Sequence, residues 1–357
     1  MMARMGYRTA WLLTVMLLIA ALAGCSGEDA SPSPDAQTSA PSSTEPTSTD
    51  VTGPGPAGPT YLPAGELPNP LRLKDVGART VKAEPFADFA VAVSGGVWVS
   101  GVSPGAVRYD DAAGGSITAR ARISGEVVQA LEATTSGVFV PVWDPALLLR
   151  LDAATGDVRA RVKLPGRPIS EATVGADGDT GYVLIDASKP RIAVIEGDRV
   201  VEEIPAPEGA TAVRAGFGSL WIPTSNHTVE RYSLESKEWT TIAVGPAPRF
   251  LDVGFAAVWV MNQGDGSVTR IDARSGRTEA LPVTGVPIGG GDLTLGAGAV
   301  WLRTDRQVAR IDPESRTVTH LIDLPPGSAS AAAADGLLVV SNHDHEAVHL
   351  VPLPLPR

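Results

Sequence analysis

The sequence predicts an all-β fold, a seven-bladed β-propeller of four-stranded antiparallel blades, and three observations carry that prediction. The first is a recurring aromatic position. Trp98, Phe139, Tyr182, Trp221, Trp259 and Trp301, and then more weakly Leu338, follow one another at steps of 41, 43, 39, 38, 42 and 37 residues. The second is a parallel triplet of polar, apolar and acidic residues: Arg108-Tyr109-Asp110, Arg150-Leu151-Asp152, Arg270-Ile271-Asp272 and Arg310-Ile311-Asp312. Degenerate copies stand at 194–196, 231–233 and 349–351. The third is the texture of each unit, clearest from Phe250 to Val283. Short β-branched and aromatic runs alternate there with clusters of Gly, Asp and Asn, the pattern of strands joined by tight turns. One such sheet cannot bury both of its faces. A period of about 40 residues with four strands per unit marks radial repetition rather than a helical solenoid.

The composition of the strands fits that arrangement. First strands are rich in small residues (90–94, 173–175, 212–216, 293–298, 331–334), as needed where seven strands converge on an axis. Second strands carry the large aromatics, which fill the widening space between blades and bury on the order of 150–250 Å² each. The seventh unit runs into Pro352-Leu353-Pro354-Leu355-Pro356 and lacks a fourth strand, because proline donates nothing to a ladder. Upstream of the first unit one strand is left over, residues 79–84, similar in pattern to residues 316–321. It is expected to complete the last blade and remove its open edge.

The N-terminus has a different character. Arg4 and Arg8 precede an apolar run, 11–23, which is shorter than the roughly 20 residues of a spanning helix. Leu22-Ala23-Gly24-Cys25 follows, and it resembles the lipobox of bacterial lipoproteins. The resemblance implies a signal peptide over 1–24, removed on maturation, with Cys25 acylated and the protein held on the outer side of the cell membrane. Cys25 is the one cysteine, so the folded part depends on its core rather than on disulfides. Residues 25–60 are dominated by Ser, Thr, Pro and Gly and are expected to form a disordered linker ahead of a propeller at 61–357. About 35 such residues reach roughly 30 Å as a coil and roughly 110 Å as polyproline II. Tyr61–Gly77 is expected to pack loosely under the propeller. The net charge is −11, and loss of Arg4 and Arg8 takes it to −13. With no basic stripe in the sequence, nucleic acid is not an expected partner, nor is an anionic lipid surface. The expected membrane contact is the lipid anchor.

In a four-stranded blade, the 2–3 and 4–1 connections share one face and the 1–2 and 3–4 turns the other. The turns at 152–156 and 272–276 are short punctuation, so binding residues are expected in the longer 2–3 and 4–1 connections, where function concentrates. The densest polar run is Ser341-Asn342-His343-Asp344-His345-Glu346. Read as an extended segment, it places two imidazoles on one side, a spacing suited to a metal or to proton transfer. The equivalent connection of unit six offers Arg303 and Asp305, and Arg249 and Arg167 stand in 4–1 connections where a carboxylate is a natural ligand. The candidate ligand-binding set is therefore His343, Asp344, His345, Arg303, Asp305 and Arg249. The folded part has no thiol nucleophile, Gly-x-Ser-x-Gly elbow or Gly-rich phosphate loop.

Residues 244–249, Val-Gly-Pro-Ala-Pro-Arg, followed by 257–262, Ala-Val-Trp-Val-Met-Asn, resemble the YVTN-type repeats of extracytoplasmic seven-bladed propellers. The resemblance spans most of 79–351 and is one of blade architecture. Relatives of those proteins include streptogramin B lyases, which open a cyclic depsipeptide with a divalent metal and a histidine. Two functions are thus expected. The first is a membrane-anchored platform that binds a protein or small molecule on the loop face without a cofactor. The alternative is a lyase or lactone hydrolase with an axial pocket, and a divalent metal belongs to that alternative alone.

Overall fold

All seven expected units fold as antiparallel sheets in sequence order. The computed structural model describes residues 57–356 apart from 84–86, 102–104, 111–113, 128–129, 170–171 and 187–188. The chain divides into Met1–Gly53, outside the described residues together with the expected signal peptide and Cys25, and a unit Pro54–Arg357. Blade 1 runs outward from Ala90–Val93 through Gly96–Ser100 and Gly105–Asp110 to Ser116–Arg122. Blade 5 does so from Pro248–Gly254 through Ala257–Asn262 and Ser267–Asp272 to Thr278–Pro282. The innermost strand of each blade lies against that of the next, and blade 7 against blade 1, so the ring closes.

Both sequence markers have a physical role in this geometry. The aromatic lies between its own blade and the next, and Trp98, Trp221, Trp259 and Trp301 are fully buried. In blades 4, 5 and 6 the indole N–H returns to a glycine five residues earlier, donating to the carbonyls of Gly216, Gly254 and Gly296 at 3.1, 3.3 and 2.9 Å. Those glycines also admit the next blade. A Cβ on Gly216 would stand 2.6 Å from Val253, one on Gly254 2.7 Å from Leu295, and one on Gly296 would strike the Ala333 carbonyl. The triplet arginine is the cross-strand partner of the aromatic and covers its ring, as Arg150 does Phe139, Arg231 Trp221 and Arg270 Trp259, at 5.1–5.9 Å. The triplet acid ties the following turn. Asp272 accepts from Ser275 Oγ at 2.7 Å and from the Ser275 N–H at 2.8 Å, and Asp312 accepts from the Ser315 N–H at 2.7 Å. Those bonds hold both carboxyls below the usual aspartate value.

In blade 7 the equivalent position is Val339 rather than Leu338. Val339 pairs with Ala332 and packs toward blade 1, whereas Leu338 packs toward blade 6. Without an aromatic to mark the register, the sequence spacing slipped by one residue, and one residue changes the face.

The N-terminal strand closes the ring as expected. Arg79–Lys82 pairs antiparallel with Ala347–Pro352 and is the outermost strand of blade 7. The preceding segment does not lie under the propeller. It runs along the rim, where Thr60–Tyr61 pairs in parallel with the outer strand of blade 5 and Leu71–Arg72 with that of blade 6. Val76 is then buried between blades 6 and 7, beside Leu353 and Leu355 of the C-terminal tail. The reason is the one that places the closing strand: an outer edge with unpaired backbone groups captures any extended segment within reach. A chain beginning at residue 84 is expected to melt about 10 °C or more below one beginning at 57, because it opens blade 7 and bares three outer edges. Removal of 1–56 alone should leave the melting temperature unchanged, and thermal unfolding of the two truncations checks this.

Candidate functional site at the axis and on the loop face

Seven residues before each aromatic position, the innermost strands contribute one residue apiece to a ring around the axis: Val91, Glu132, Gly175, Arg214, Asp252, Thr294 and Ala332. Four of the seven are small or uncharged, and the charges are three blades' worth of side chains that face one another. Arg214 Nε lies 3.4 Å from Glu132 Oε2, which spans blade 3. Blade 3 contributes Gly175 at this level, where a Cβ would stand 2.9 Å from Arg214 Cα. The Arg214 guanidinium also donates to the Val174 carbonyl at 2.8 Å. Asp252 accepts from the Leu295 N–H at 2.7 Å, which ties blade 5 to blade 6.

Two residues earlier in each strand lies a second layer: Phe89, Ala130, Thr173, Ala212, Phe250, Asp292 and Ser330. Phe89 and Phe250 belong to non-adjacent blades, and their rings meet with centroids 5.7 Å apart. They stand between the charged ring and the loop face, since each innermost strand enters from that face. Asp292 accepts from Ser330 Oγ at 2.5 Å.

This enclosure moves the carboxyls upward. Burial raises Glu132 to about 8, and Asp252 and Asp292 add to the effect against the pull of Arg214. Burial raises Asp292 to about 7, against the Ser330 hydrogen bond. Asp252 is raised by burial as well, against Arg214 and two N–H donors. Arg214 stays above its ordinary value, because the three acids outweigh burial.

On the loop face the expected cluster is only partly assembled. His343–His345 is a 3₁₀ turn capped by the Asn342 side chain, not an extended segment, so its two imidazoles diverge. His343 is held between two carboxylates, Nδ1 at 3.5 Å from Asp88 Oδ1 and Nε2 at 3.2 Å from Asp344 Oδ1. The Asp88 hydrogen bond raises its pKa in spite of burial, and the charges of Asp88 and Asp344 add to the rise. His345 is exposed. Arg303 faces blade 7 and is fully buried. Its Nη2 donates to the Gly327 carbonyl at 2.9 Å, while Nε and Nη1 have no partner among the described residues. Burial lowers Arg303 to about 10 against the charges of Asp305, Asp344 and Asp88. Asp305 is partly exposed at the edge of this patch, 3.6 Å from Arg306. Arg249 belongs to blade 5 and lies over the ring of Phe250 at 5.7 Å. Arg167 stacks on the exposed Trp143 at 4.2 Å.

Sequence reading missed Asp88 and the axial charges. The first sits beside residues that carry no motif. The second group is visible once the repeats are aligned on the aromatic and the residue seven places earlier is read in each. Among the described residues, no three His, Cys, Asp or Glu side chains come together as a metal-ligand set, and no helix is long and apolar enough to cross a membrane.

The closed ring of seven four-stranded blades defines the class, a seven-bladed β-propeller. Solved structures agree. The chain is similar to BamB from Moraxella catarrhalis, with 11% identity over 77% of this chain and 98% of that one and a TM-score of 0.51. It is also similar to the Cps50 (Swd1) β-propeller domain of Myceliophteria thermophila, with 10% identity over 78% and 100% and a TM-score of 0.60. No family model and no curated protein sequence matches the chain.

The raised acids set a pH dependence. A carboxyl whose folded pKa exceeds its unfolded value contributes stability that is present below the unfolded pKa and lost as pH rises through the folded one. For Glu132 and Asp292 that loss is complete only above about 8 and about 7. The melting temperature is expected to fall from the ordinary glutamate value near 4.5 and to level off above about 8, and Glu132→Gln should flatten that fall. Calorimetry across the range checks it, and a slope unchanged in the variant would show that Glu132 titrates normally.

Proposed function

We propose that this protein is a lipid-anchored, extracytoplasmic propeller that binds a protein or small-molecule ligand on its loop face. The observation that carries the reading is the patch shared by blades 6, 7 and 1. There Asp344 and His345 are exposed and Asp305 partly exposed, beside an imidazole braced by Asp88 and Asp344. Phe89 and Phe250 fill the axis beneath, so the patch is a surface to dock against rather than the mouth of a deep pocket. The Leu22–Cys25 motif supports the anchor, and the Ser/Thr/Pro-rich linker supplies reach from a membrane. The propeller fold shared with BamB and Swd1 is compatible with such a platform.

Two experiments test the two halves. Cys25→Ala should abolish incorporation of a labelled fatty acid and release the protein from the membrane fraction, and undiminished labelling would overturn the anchor. A photo-crosslinking residue placed at Asp344 or Asp305 should yield a specific adduct in intact cells, whereas one at Ala154 or Arg274, on the turn face, should not. Equal adducts from both faces would overturn the assignment of the loop face.

A further inference from the structure

The outer edges of the blades are not treated alike. Those of blades 5 and 6 are each covered by a short parallel strand from the N-terminal segment, Thr60–Tyr61 and Leu71–Arg72. Among the described residues no strand covers the outer strand of blade 2, Val158–Lys163, whose only ladder is to Leu147–Asp152. This edge is also where the charge of an acidic chain reverses. Arg159, Arg161 and Lys163 are exposed at alternate positions and so share one face, while Ala160 and Val162 share the other. Arg159 is held by Asp152 at 2.9 Å, but Arg161 and Lys163 have no ion-pair partner among the described residues. The equivalent outer strand of blade 1 adds Arg120 and Arg122, both exposed. Nearby acids on blade 3 are engaged elsewhere, Glu203 with Arg191 at 3.7 Å and Glu202 with Lys237 at 3.5 Å.

We propose that the outer edge of blade 2 is a second docking surface, which takes an extended acidic segment of a partner protein as an added parallel strand. Two features of the molecule support this choice of occupant. The chain already completes two outer edges with parallel strands, so the blade geometry accepts a fifth strand in that direction. The alternation of cations and small apolar residues on Val158–Lys163 selects a complementary strand with acidic residues at alternate positions and apolar residues between them. In a parallel ladder, in-register side chains lie on the same face, so each acid falls beside a cation and each apolar side chain beside Ala160 or Val162. Backbone hydrogen bonds supply the affinity of such augmentation, and the charges supply the selection. The same cations repel basic strands, which keeps the edge from pairing with copies of itself. This surface is separate from the loop face, so it stands or falls independently of the ligand proposed there.

The test uses the whole protein and two synthetic peptides, one alternating Glu with Val and one alternating Lys with Val. The Glu peptide should bind, slow the amide exchange of residues 158–163, and lose about tenfold in affinity to the paired change Arg161→Glu and Lys163→Glu. The Lys peptide should not bind. Inorganic polyphosphate serves as a third probe. If it binds as tightly as the Glu peptide and neither slows exchange at 158–163, the edge is a polyanion patch and the proposal fails. If the Glu peptide does not bind, the cations only guard the edge, and the proposal fails in that way. Unchanged circular dichroism of the double variant separates loss of binding from loss of fold.

Discussion

Convergence of seven strands on one axis is the constraint on which the rest of this structure depends. Little side-chain volume fits there, and the chain meets the limit in two layers. In the upper one, phenylalanines from blades 1 and 5 meet and fill the space, with Ala172 and Ala212 of blades 3 and 4 beside them. In the lower one, Arg214 reaches across the side-chain-free position of blade 3 to Glu132, with Asp252 and Asp292 close enough in charge to raise both partners. A largely buried set, with Arg214 and Asp292 buried and Glu132 and Asp252 partly so, is a weak source of stability, because desolvation consumes much of the Coulombic gain. Its effect is better described as registration: each contact joins a different pair of blades and is satisfied in one arrangement of the ring. Stability itself comes from the aromatic seams between blades.

An axis plugged toward the loop face by Phe89 and Phe250 leaves a ligand on that side the surface rather than a deep pocket. The loop face holds the exposed Asp344 and His345 beside the braced His343, and the rim holds the uncovered outer strands of blades 1 and 2 with their exposed cations. On the turn face, Asp152, Asp272 and Asp312 are engaged in capping the 3–4 turns.

The architecture was legible in the sequence because it depends on local, repeated requirements. An aromatic fills the seam, an arginine covers it and an acid ties the next turn, so an aromatic recurs in six of the seven units and the full triplet in four. Closure was legible too, through the missing fourth strand and the spare one at Arg79. Reading failed where a marker was absent or a requirement was not local. Blade 7 has no aromatic, and its register slipped by one residue. The segment after Tyr61 has too little pattern to reveal that it pairs with edges on the rim. His343 and His345 look paired in sequence, yet a 3₁₀ turn parts them. The axial charges come from separate blades, and net charge hid the basic edge of blade 2, because the excess acids lie elsewhere.

The most direct measurement of this account is the titration of Glu132 itself, followed through the chemical shift of its carbon-13-labelled side-chain carboxyl. An axis enclosed by seven blades and closed toward the loop face by Phe89 and Phe250 predicts a midpoint near about 8. It also predicts that the midpoint moves down when Phe250→Ala opens the axis to water. A midpoint in the ordinary glutamate range near 4.5, unmoved by that substitution, would show an open, hydrated channel and contradict the account.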